Sequence, residues 1–142
     1  MNTIEENNFQ PDFTVADKYI QFSSEILRLS LLGITAIATF LLLYLKKEFG
    51  TCFTIGNPEK ALLFITLLLF TFSSGLALTH RFFATDSLAY LIAYLRKKDS
   101  KEKKGLIKNL KASEKVLIYA EYTFGFGVFA FVCVLLILIC NL

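Results

Sequence analysis

An all-α fold that crosses a membrane three times is predicted for this 142-residue chain, and three observations predict it. Hydrophobic residues make up 55% of the chain and mean hydropathy is +0.56, while charged residues contribute only 19%. Apolar content thus lies above, and charge below, the usual share of a soluble domain. Three stretches lack Asp, Glu, Lys, Arg and His altogether: Leu29 to Leu45, Ala61 to Thr79 and Tyr122 to Leu142, of 17, 19 and 21 residues. Each meets the roughly 17–25 residues that a helix needs to cross the hydrocarbon core. None carries the polar stripe that a helix in water shows to solvent.

The chain length fits one transmembrane domain, 1–142, divided into a mobile tail (1–13), a lead-in helix with the first span (14–47), the second span with an extension (58–98), a basic loop (99–113) and the third span (114–142). The tail has no hydrophobic period. The first 25 residues hold Glu5, Glu6, Asp12, Asp17 and Glu25 and lack the basic start and cleavage site of a signal peptide, so the first span is expected to remain as an anchor. Thr14 and Asp17 fit a capping box at a helix start. Asp17, Gln21, Ser24, Glu25 and Arg28 then recur on one helical face, which makes the lead-in amphipathic. Gly50 is placed to stop the first span. Asn57-Pro58-Glu59 reads as a helix start, with a cap, a proline in the first turn and an acid beside the helix dipole. Beyond Thr79 the period continues through Leu88, Leu91, Ile92 and Leu95, so one long helix is expected to project into the cytoplasm, with Thr85-Asp86 as the place for a kink. Within the basic loop Leu106, Ile107 and Leu110 suggest a short interfacial helix, and Ser113 is the expected cap of the third.

Charge sets the expected orientation. Arg96 to Lys115 holds nine Lys and Arg against Asp99, Glu102 and Glu114. With the N-terminus inside, the inner side carries twelve basic residues and the outer side only Lys46, Lys47 and Lys60. Basic residues concentrate on the cytoplasmic side, so the expected location is the cell (inner) membrane, with a cytoplasmic N-terminus and the C-terminus outside. Cys52 and Cys140 both fall near the predicted outer face; single free thiols are the expected state, with a disulfide between these two as the alternative.

Three groups of residues are candidates for function. An inner-leaflet polar ring is expected from Glu25, Arg28, His80, Arg81, Asp86 and Glu121, with Arg81 and Glu121 at one depth and paired. Ionisable groups near hydrocarbon are costly and tend to face protein or a water-filled cavity. The ring reads as a polar vestibule, and ordinary snorkelling with one salt bridge accounts for the same residues. Small residues at helix-packing spacing are Thr71, Gly75 and Thr79 on the second span, and Thr123 and Gly127 on the third. For lipid or partner contact the candidates are Arg96, Lys97, Lys98, Lys101, Lys103, Lys104, Lys108 and Lys111.

These features point to a small oligomeric membrane protein that forms a pore or perturbs the membrane. The alternative is a membrane-anchored adaptor, or accessory subunit, that docks a cytoplasmic protein through its basic loop. Expected partners are anionic headgroups of the bilayer, further copies of the chain and, on the alternative, that protein. Nucleic acid is not expected, because the basic run holds a single arginine and no interleaved aromatics. One histidine, no Cys-x-x-C and no facing carboxylates leave no parts for acid–base or metal chemistry, so no enzyme activity and no cofactor are expected.

Overall fold

The computed structural model describes residues 10–45, 56–97 and 99–140. They form three helices: α1 (Gln10–Leu45), α2 (Asn57–Lys97) and α3 (Ser100–Cys140). Each is long and apolar enough to cross a membrane, as a small multi-pass membrane protein requires. Cys52, and with it the alternative of a Cys52–Cys140 disulfide, lies outside the described residues, as do Lys46, Lys47, Gly50, Lys98 and residues 1–9.

The helix starts follow from local chemistry. α1 is already helical at Gln10, the first described residue and four residues ahead of the expected start. Thr14 and Asp17 are therefore inside the helix rather than at its cap, and Asp17 accepts a hydrogen bond from Gln21 Nε2 at 3.2 Å. α2 opens as expected at Asn57-Pro58-Glu59, and Lys60 N donates to Gly56 O at 3.2 Å. It then runs unbroken through Thr85-Asp86 to Lys97.

The basic segment differs from expectation. Residues 100–113 are not a loop, and Leu106, Ile107 and Leu110 do not form a separate short helix. All belong to α3, and Ser113 is a buried interior residue of it. The cap is Asp99, whose Oδ1 accepts from Lys101 N at 3.1 Å and whose carbonyl accepts from Lys103 N at 3.3 Å. Lysine, glutamate, leucine and alanine are good helix formers, so charge density alone does not make this stretch a loop. Gly105 is tolerated because the Tyr90 ring covers it: a Cβ there would lie 2.8 Å from Tyr90 Cε1.

α2 is the centre of the bundle. It packs against both α3 and α1, which touch each other little. Its buried residues are Glu59, Leu63, Thr66, Phe70, Ser73, Ala77, His80, Ala84 and Ser87. The steps alternate between four and three, the 3.5-residue repeat of helices wound in a left-handed coil. Ser113, Leu117, Ala120, Val134 and Leu138 follow the same repeat on α3, and Ser23, Ile26, Ser30 and Ile37 on α1. Toward the Asn57 end the seam holds the apolar cluster Ile37, Leu63, Phe70, Val134 and Leu138, with Thr66 and Glu59 buried on the same face of α2. Toward Lys97 most of its residues are small or polar, Ser23, Ser30, Ser73, Ala77, Ala84, Ser87, Ser113 and Ala120, packed with Ile26 and Leu117.

The large side chains face outward instead. Phe64, Phe72, Phe82, Phe126 and Phe129 are each more than 60% exposed. A continuous apolar exterior of this kind has no place in water, whereas small residues at the seam let helix backbones approach closely in lipid.

Candidate functional site

Helix register decides which sequence-predicted residues meet. Ser30 Oγ donates to Ser73 Oγ at 3.4 Å, and the Phe70 ring lies over Gly33, which sets α1 antiparallel to α2. Ser73 Oγ donates in turn to Ala120 O at 3.0 Å, Asn109 Nδ2 donates to Asp86 Oδ2, and Tyr90 covers Gly105, which sets α3 antiparallel to α2. The Ser30–Ser73–Ala120 chain ties all three helices together in their buried interior. Each hydroxyl thereby finds a partner where no water reaches.

The expected polar ring does not close. His80 turns into the seam, 2% exposed, between Ala77 and Ala84, and its Nδ1 has no hydrogen-bond partner. Along the register it falls at the level of Ser23 on α1. Asp86 is half-buried and held by Asn109, a partner the sequence reading missed. Glu25, Arg28, Arg81 and Glu121 are exposed. The expected Arg81–Glu121 pair is not formed among the described residues, and the two are not at one depth. Glu121 falls at the level of Ser74, seven residues from Arg81 or about 10 Å at 1.5 Å per residue. Arg28, by the α1 register, falls at the level of Gly75.

The small-residue candidates divide. Gly127 is buried against the Phe70 ring, whose Cδ1 would lie 3.1 Å from an added Cβ, and Thr123 is half-buried. Thr71, Gly75 and Thr79 face outward, away from the bundle, and a Cβ on Gly75 would meet nothing within 4 Å. The hydroxyls of Thr71 and Thr79 donate to the carbonyls of Leu67 and Gly75 on their own helix. The glycine that matters for packing on the other side is Gly33, where a Cβ would lie 2.6 Å from Phe70 Cε2.

The basic residues form an exposed surface on the paired ends of α2 and α3. Arg96, Lys97, Lys101, Lys103, Lys104, Lys108, Lys111 and Lys115 are all exposed. They divide by level. Lys115, Lys111 and Lys108 lie alongside the α2 segment 80–87, just past its uncharged stretch, whereas Arg96, Lys97, Lys101, Lys103 and Lys104 surround the tip of the hairpin. Ile107 and Leu110 are exposed among them, at 46% and 54%. Among the described residues no three of His, Cys, Asp or Glu gather as metal ligands.

Comparison with protein families, curated proteins and solved structures finds no match to the chain.

Proposed function

We propose that this protein is an anchor in the cell (inner) membrane that holds a rigid basic hairpin out into the cytoplasm to dock an acidic protein. The orientation rests on the twelve basic residues at one end of the bundle against three at the other. The observation that carries the reading is that α2 and α3 stay paired to the tip, through Asp86–Asn109 and Tyr90–Gly105. From Thr79 to Lys97 is 18 residues, or about 27 Å of helix. The headgroup layer adds only about 5–7 Å on each side of the core. Salt screens charges beyond about 8 Å. With α2 near the membrane normal, Arg81, Lys108, Lys111 and Lys115 therefore meet anionic headgroups, and the tip stands clear of them. Five basic side chains at the tip suit an acidic protein surface.

The test is site-specific photo-crosslinking in intact cells from positions 101 and 115. Position 101 should capture one protein that is rich in Asp and Glu, and position 115 should capture lipid. Changing Lys103 and Lys104 to glutamate should abolish the protein adduct while the chain stays in the membrane. Lipid adducts alone at position 101 would refute the docking reading.

A second reading, an oligomer that forms a pore or perturbs the bilayer, is favoured by one observation: Thr71, Gly75 and Thr79 make an outward stripe of small residues on α2. Against pore lining, the hydroxyls of Thr71 and Thr79 are bound to their own helix. Release of dye from liposomes by the purified protein would support the pore; tight vesicles would end it.

A further inference from the structure

We propose that copies of this chain associate side by side in the membrane through an ion pair between Arg28 on α1 of one copy and Glu121 on α3 of the next. The docking reading does not require this contact; the pore reading would rest on one such as this.

Both residues are exposed, and both fall at the level of Ser74 and Gly75, within the uncharged stretch of α2 that ends at Thr79. Four residues separate Gly75 from Thr79, about 6 Å of helix, so both charges leave their helices within the apolar belt. Ionisable groups there are costly unless they face protein or a partner charge.

Among the described residues a single copy offers Glu121 no such partner. Among the described residues it forms no ion pair. The nearest basic residue on its own helix is Lys115, six positions toward the basic end. α2 carries no charge between Ala61 and Thr79. Arg28 lies between the buried Ile26 and Ser30, two positions from each, and so on the back of α1 rather than toward α3. The one acid near it is Glu25, which is also exposed.

The surroundings of Glu121 suit a close neighbour. Ile118, Glu121, Gly125 and Phe129 follow one another at helical spacing on one flank of α3, all exposed. A Cβ on Gly125 would meet nothing within 4 Å. A second helix can therefore approach the α3 backbone beside the carboxylate, with Leu32 one turn from Arg28 to pack against the apolar residues. The two patches differ, one on α1 and one on α3, so the contact is head-to-tail and repeats around a ring wherever the rotation closes.

The experiment measures the mass of the full chain in lipid nanodiscs or native membrane particles. Wild type should be oligomeric. Arg28→Glu and Glu121→Arg should each weaken association about tenfold or more, and the double variant should restore it, since a charge swap rebuilds the pair. Recovery in the double variant also shows that the single variants had not merely misfolded. A monomeric wild type, single variants that associate normally, or a double variant that stays monomeric would each overturn the proposal. The readout is mass, not partner capture or dye release, so its outcome is separate from the fate of both functional readings.

Discussion

Asn109 of α3 donates its side-chain amide to the Asp86 carboxylate of α2, seven residues past the end of the uncharged stretch of α2. This contact lies where apolar burial between the two helices has thinned, and it joins them at a part-buried site. Hydrogen bonds to a charged group contribute about 1.5–3 kcal/mol. Asp86→Ala or Asn109→Ala should therefore loosen the tip by about 1–2 kcal/mol. Hydrogen exchange should quicken roughly tenfold for amides 88–108 and stay unchanged for 61–75.

Phe70 is clamped between two glycines, with Gly33 on one side and Gly127 on the other. Its ring cannot yield to one without striking the other. Gly33→Ala should destabilise the bundle by about 1–3 kcal/mol through overpacking. Gly75→Ala, made in open space, should instead stabilise it by about 0.5–1 kcal/mol, because alanine favours helix. Unfolding in mixed micelles reads both, and opposite signs are expected from one chemical change.

Ser73 connects α1 and α3 by accepting from Ser30 and donating to Ala120 O. Hydrogen bonds between helices in lipid average about 0.6 kcal/mol, so Ser73→Ala should have a small cost of that order. Ser73→Leu, which forces a branched side chain into a fully buried position, should cost several times more. The same unfolding assay distinguishes the two.

His80 is buried with Nδ1 unpaired. An unsatisfied buried polar atom costs about 1–3 kcal/mol. His80→Leu, close to it in volume, should leave stability unchanged or raise it by about 1 kcal/mol, and His80→Ala should lower it by leaving a cavity. Marked loss of stability in His80→Leu would mean that the imidazole holds a polar partner in the membrane.

Much of the fold is legible in the residues themselves. Three uncharged runs announce three helices, and Leu88, Leu91, Ile92 and Leu95 announce that α2 continues past Thr79. The lysine-rich stretch looks like a loop by its charge alone, yet its residues favour helix, and Asp99 followed by Glu102 carries the pattern of a capping box. The seam was hidden for a different reason. Small residues four apart, as at Thr71, Gly75 and Thr79, mark a face that turns outward, whereas the buried face alternates steps of four and three and admits Phe70 and His80 as readily as Ser73. The depth of Glu121 was not legible at all, because a single helix pattern carries no information on how far one helix slides along another.

The height of the hairpin tip above the bilayer tests the account most directly. With Cys52, Cys133 and Cys140 replaced by alanine, one dye at Lys101→Cys and another at Lys115→Cys can be measured by energy transfer to labelled headgroups in liposomes. A paired α2–α3 hairpin near the membrane normal places position 101 about 15 Å above the headgroup layer and position 115 within it. Equal transfer from both positions, with the tip lying on the lipid, would contradict it.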